Sequence, residues 1–167
     1  TIQDGINNAA TGDTVRIVGG TFNEVISINP SGLSILIHGG YNSTFTTRSS
    51  ETVLNGRIQL SGTSAGAVTI DKLTIINSVS QAIYTFGSET DLTVTNCIIH
   101  DSASSGIYGY DPGNITIDSC EIYSNGNSGG IGIQRLSSIK TMTITNNTIH
   151  SNTCSACRPD STGKITC

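Results

Sequence analysis

The sequence predicts an all-β fold, a right-handed parallel β-helix (a solenoid) with a short N-terminal capping helix. Three observations carry that prediction. Four segments repeat with a period in the twenties, each segment alternates apolar and polar residues, and a second set of short strands keeps the same period.

The four segments align without gaps. They are AVTIDKLTIINS from Ala67, DLTVTNCIIHDS from Asp91, NITIDSCEIYSN from Asn114 and TMTITNNTIHSN from Thr141, with starts 24, 23 and 27 residues apart. That period is too short for a propeller blade or a helix-pair repeat and fits one coil of a β-solenoid. One apolar column reads Val68, Leu92, Ile115, Met142; the next reads Ile70, Val94, Ile117, Ile144; a third reads Ile75, Ile99, Ile122, Ile149. Between the first two runs an unbroken line of Thr69, Thr93, Thr116 and Thr143. Period-two alternation turns the aliphatics inward and the threonines outward.

The second strand set is GRIQL, QAIYTF, GIYGY and GIGIQ, whose inward column is Ile58, Ile83, Ile107 and Ile131. A further position, Leu73, Cys97, Cys120 and Asn147, sits two residues before the third apolar column and should point inward near a bend. Asn147 there could satisfy its amide against neighbouring coils.

The two ends differ. In TIQDGINNAATGDTVRIVGG, Ile2, Ile6 and Ala9 or Ala10 share one helical face, Thr1 and Asp4 can cap it, and Gly12 can end it. The expected division is a cap helix over 1–12 and coils over 13–167 in a single domain, with Thr14–Val18 as the first strand. The helix would cover the open edge of the first coil. At the other end Lys164, Ile165, Thr166 and Cys167 restart the repeat, so the last coil is expected to be incomplete. The absence of a starting Met and of a leader-like segment suggests a mature or truncated fragment.

Composition suits this reading. Only 12 % of residues are charged and 19 are Gly, with Ser, Thr and Asn filling polar positions. A net charge of −4 argues against nucleic acid and against an anionic membrane surface. No apolar run approaches the ~20 residues needed to span a bilayer. Five cysteines is an odd number, so at least one stays unpaired or pairs outside the chain.

TIQDGINNAATGDTVRIVGGTFNE resembles the opening of bacterial pectin-lyase-like β-helix proteins, with a helix, a Gly-Asp-Thr turn and a Gly-Thr-aromatic step. HGGYNSTFTTRSSETVLNG, from His38 to Gly56, is similar to a segment of surface-exposed bacterial β-helix repeat proteins. The resemblance spans essentially the whole chain and implies fold more than chemistry, because that superfamily hosts lyases, hydrolases, adhesins and structural proteins.

Lyases of this fold need carboxylates converging on Ca²⁺ beside a basic residue. Asp71 and Asp118 share an outward column but are separated by Thr95, ~10 Å apart, and read as solvated ladder residues. Arg135 and Lys140 have no evident acidic cluster. The aspartate groups, Gly-His-Gly step and basic triplet of the hydrolases do not occur. Asp101 and Glu121 form only a weak acid pair. His100 and His150, with Tyr123 between them, are too far apart to share a metal and read as surface residues. No catalytic residue, metal site or cofactor is therefore expected.

Cys154, Cys157 and Cys167 are disulfide candidates, with a zinc site that adds His150 as the alternative. Cys97 and Cys120 read as stacked buried thiols, with a disulfide between them as the alternative. Tyr84 and Tyr108 share an outward column, and Phe86 and Tyr110 share another, which gives a candidate glycan-binding strip or ordinary ladder stacking. The flat Thr face resembles the ice-contacting faces of some solenoids, but Asp71 and Asp118 interrupt its second column. Sequons stand at Asn42, Asn114 and Asn146.

The function expected on these grounds is a non-catalytic, secreted or cell-surface structural or adhesive module. It would contact glycans through the aromatic strip, or stack on further copies of itself through the last coil into a filament. The alternative is a fragment of a polysaccharide lyase or glycoside hydrolase with its catalytic coils elsewhere.

Overall fold

The computed structural model describes residues 1–29, 32–62, 66–87, 89–126, 129–134 and 140–153. The first coil runs through β1 (Thr14–Val18), β2 (Gly20–Phe22) and β3 (Val25–Ile28), after the helix α1 (Ile2–Asn7). The second holds β4 (Ile35–Tyr41), β5 (Thr52–Asn55) and β6 (Arg57–Ser61), and the third β7 (Ala67–Asp71), β8 (Thr74–Ile76) and β9 (Ile83–Phe86). The fourth holds β10 (Asp91–Thr95), β11 (Ile98–His100) and β12 (Ile107–Tyr110), and the fifth β13 (Ile115–Asp118), β14 (Glu121–Tyr123) and β15 (Ile131–Gln134). A sixth begins with β16 (Met142–Thr145) and β17 (Thr148–His150).

Every pairing is parallel and joins one coil to the next, which gives three sheets around one core. Sheet I contains β1, β4, β7, β10, β13 and β16; sheet II contains β2, β5, β8, β11, β14 and β17; sheet III contains β3, β6, β9, β12 and β15. The register is the one the repeat implies: Leu92 pairs with Val68 and Ile115, Ile99 with Ile75 and Ile122, and Ile107 with Ile83 and Ile131. Ile75, Ile99 and Ile122 are fully buried, and Ile149 continues their line in the sixth coil. The threonines pair in register along the outside, Thr69 to Thr93 to Thr116 to Thr143.

The sheet II strands β8, β11, β14 and β17 are short because each is bounded by two left-handed bends. Lys72, Asn96, Ser119 and Asn146 recur before it, with φ of 57°, 52°, 55° and 55°, and Asn77, Asp101, Ser124 and Ser151 recur after it, with φ of 53°, 56°, 52° and 53°. Asn and Asp enter this region more readily than most non-glycine residues, which suits Asn77, Asn96, Asp101 and Asn146 to these columns, and none of the eight positions holds a β-branched residue. The residue after each bend turns inward. Leu73, Cys97 and Cys120 are buried there, and the Asn147 side chain accepts from the Cys120 amide and donates to the Ile117 carbonyl at 2.8 Å each. The second bend has its own column of Ser78, Ser102, Asn125 and Asn152, where Asn125 donates to the Ile99 carbonyl and Asn152 to the Ile122 carbonyl.

The helix ends at Asn7 rather than near residue 12. Thr1 and Asp4 form a reciprocal capping box, and Ile2 and Ile6 are buried against the first coil. Gly12 lies beyond the helix, at φ 95°, in the turn that enters β1, where its amide donates to Ser34. Gln3 grips β3 from its open side: its amide donates to the Ser27 carbonyl and its carbonyl accepts from the Ser27 amide. A side chain thus stands in for a missing strand, which is how the cap blunts the edge. The Glu24 carboxylate accepts the amides of Ile2 and Gln3 and so ties down the orphan donors of the helix start.

Because the core is a set of columns, a gap in one coil is felt by the two that flank it. Ile99→Ala should cost about 3 kcal/mol in urea unfolding, whereas Thr93→Ala on the outer face should cost under about 1 kcal/mol.

Candidate functional site

The sequence singles out four aromatic residues, and the structure brings them together. In sheet III, Tyr84 pairs with Tyr108 and Phe86 with Tyr110. Ile83 and Thr85 point inward, so the rings must point outward. The ring centroids of Tyr84 and Tyr108 are 6.0 Å apart at 31°, those of Phe86 and Tyr110 are 5.1 Å apart at 22°, and Tyr84 lies 6.2 Å from Phe86. The result is a two-by-two aromatic block across the third and fourth coils.

The Tyr84–Tyr108 pair is tilted rather than face to face. Gly132, the register partner of Tyr108, explains part of this. A Cβ there would sit 2.9 Å from the Tyr108 ring, so the missing side chain lets the ring lean over the backbone of the fifth coil. Its hydroxyl donates to Gln134 at 2.9 Å. Gln59 and Ser61 continue the two rows toward the second coil, and Arg57 holds Gln59 through a 2.7 Å hydrogen bond. Burial, then the nearby Tyr108 and Tyr110, pushes the Tyr84 phenol up, so it stays protonated and can both donate and accept. Phe86 is 49 % exposed. The block is an apolar face with a rim of hydroxyl and amide groups.

A second cluster, on sheet I, revises the expectation for Asp71. This residue is not a solvated ladder residue: it is buried, its two oxygens accept three hydrogen bonds, and one of them also meets the His38 ring. Thr95 and Asn96 of the next coil donate to one oxygen at 2.7 Å each, while Arg48 at 2.6 Å and His38 at 2.9 Å approach the other. Burial alone would raise its carboxyl, but the Asn96, Thr95 and Arg48 contacts outweigh it and hold the group below the usual carboxylate range. With Nε2 of His38 facing a carboxylate, Nδ1 is left to accept from the Tyr41 hydroxyl at 3.0 Å. Burial and the Arg48 charge lower the His38 value, so the ring is neutral near pH 7.

The loop between β4 and β5 supplies Arg48, which also donates from Nε to the Gly39 carbonyl, and Lys72 clamps the Arg48 carbonyl. Gly39 is obligatory here, since a Cβ would lie 2.3 Å from the Lys72 carbonyl oxygen. Both oxygens of Asp71 and both nitrogens of His38 thus have partners. The arrangement anchors the loop to sheet I. Asp118 repeats half of the pattern on the surface, accepting from Thr145 at 2.6 Å and Asn146 at 2.8 Å, which holds its carboxyl down.

The chain matches a family model described as a right-handed beta helix region, over residues 4–166. It belongs to that family. No curated protein and no solved structure matches the chain. The match identifies the β-helix and leaves its activity to the surface features described here.

The remaining expected residues fall into place on the β-helix as follows. His100, Tyr123 and His150 stack on sheet II, with ring centroids 4.7 and 5.2 Å apart and planes within 8°. His100 contacts Asp101 at 2.8 Å and His150 contacts Glu121 at 3.4 Å. Among the described residues no group of three or more His, Cys, Asp or Glu is placed to hold a metal ion. Cys97 and Cys120 are free buried thiols. Cys154, Cys157 and Cys167, together with Arg135, lie outside the described residues. Sequence reasoning missed the His38–Tyr41–Arg48–Asp71 cluster, whose one legible signal is the Gly39-Gly40 pair between a histidine and a tyrosine.

His38 and Asp71 have depressed values in the folded chain, so the unfolded chain takes up their protons first as pH falls. Folding stability should therefore decline as pH drops below 6.5, the ordinary histidine value, and again below 3.8, the ordinary Asp value. Urea midpoints at pH 7.5 and 5.5 should show the first loss, and His38→Gln should flatten it.

Proposed function

We propose that this chain is a non-catalytic extracellular module of the β-helix family that binds glycans through the Tyr84, Phe86, Tyr108 and Tyr110 block. The observation that carries the reading is the assembly of these four rings into one outward face on sheet III. Sugar rings present an apolar face and a polar edge, and an aromatic surface rimmed by hydroxyls and amides complements both. The rings stand on paired strands of a rigid stack, so little side-chain freedom is lost on binding. The hydrogen bonding of Asp71 and His38 supports a scaffold role for the sheet I cluster rather than acid–base work.

Glycan-array screening of the purified chain, followed by titration calorimetry on the best ligand, tests this. Tyr84→Ala with Tyr108→Ala should weaken binding at least tenfold, about 1.4 kcal/mol, while Tyr123→Ala on sheet II should leave it unchanged. Binding that survives the double substitution contradicts the proposal. Release of unsaturated sugars by this chain alone in the presence of Ca²⁺ would instead favour a lyase.

A further inference from the structure

Cys97 and Cys120 occupy the same position of successive coils. Each follows a left-handed bend residue, Asn96 or Ser119, and each turns into the core, where they are 1 % and 3 % exposed. The backbone holds them side by side: the Glu121 amide donates to the Cys97 carbonyl at 2.9 Å, and the next residues, Ile98 and Glu121, pair in register. In-register neighbours on adjacent strands lie ~4.8 Å apart, inside the ~4.4–6.8 Å Cα separation that a disulfide accepts.

The two thiols also act on each other. Contact with Cys120, then burial, pushes the Cys97 thiol well above its usual range, and contact with Cys97 pulls the Cys120 thiol down. Their remaining partners are backbone carbonyls reached by weak S–H donors: Thr95 at 3.2 Å and Ile70 at 3.7 Å for Cys97, Asp118 at 3.3 Å and Val94 at 3.6 Å for Cys120. Joining the sulfurs would forfeit little else.

We propose that Cys97 and Cys120 are a site of oxidative modification, closed into a staple between the fourth and fifth coils by a small disulfide oxidant such as oxidised glutathione. Cys120, as its thiolate, attacks one sulfur of the oxidant, breaks the S–S bond there and releases one thiolate. Cys97 loses its proton and attacks the Cys120 sulfur of the mixed disulfide, which releases the second. Two S–H bonds are lost and one S–S bond forms, while the oxidant departs as two thiols carrying the two electrons and two protons. Both sulfurs are sealed in the finished stack, so the exchange runs while the coils are still closing. The staple then restrains the unfolded chain over the segment from 97 to 120.

The full chain, reduced and unfolded, is refolded with a mixture of oxidised and reduced glutathione. It is then unfolded, alkylated and mapped by peptide mass spectrometry. The expected product is a Cys97–Cys120 linked peptide about 2 Da lighter than the sum of its reduced halves. Its urea midpoint should exceed that of protein refolded in excess reductant. Cys97→Ser should leave Cys120 alkylated and remove the gain in midpoint, and Cys120→Ser should do the converse. The proposal is overturned if protein with a regained β-sheet circular dichroism spectrum yields both cysteines alkylated, or either one joined to Cys154, Cys157 or Cys167.

Discussion

The structure depends on in-register parallel stacking. No coil can satisfy its own backbone or bury its own aliphatic side chains, since each strand finds its hydrogen-bond partners only in the coils before and after it. The columns of Ile, Val and Leu repeat because a residue that fits one coil fits the next in the same setting. The polar features obey the same rule. Asn147, Asn152 and the Asp71 carboxylate all bond to groups one coil away, so they enforce register as well as satisfying buried atoms.

The first coil shows what happens where no neighbour exists. Gln3 supplies a donor and an acceptor to Ser27 in the geometry a strand would use, and Glu24 returns the favour to the helix amides. Capping here is therefore an exchange between α1 and the segment around β3, and only part of it is hydrophobic cover by Ile2 and Ile6.

Fold and register were legible because side-chain period and coil period are both printed in one dimension: Ile75, Ile99 and Ile122 recur at the spacing that also sets their contact. The aromatic block was legible for the same reason. The left-handed bends are not legible, although Asn96, Asp101, Ser119 and Ser124 lie in aligned columns, because a polar residue before an inward one looks like any loop position. The fate of Asp71 was out of reach. Its partners come from the coils on either side, and the decisive one, Arg48, stands on a loop outside the repeat. Column reasoning places Asp71 on the outer face and cannot see what that loop folds over it.

A stack of this kind offers rigid, flat outer faces and few concave sites, so chemistry depends on what the turns and loops add. Here the added loop anchors itself over Asp71, and the aromatic rows form an outward face on sheet III. Methyl NOESY spectra of protein labelled at isoleucine δ1 positions test the stacking most directly. Contacts between Ile75 and Ile99 and between Ile99 and Ile122, with none between Ile75 and Ile122, are the pattern that one coil per column position requires. Absence of the first two, or appearance of the third, would contradict it.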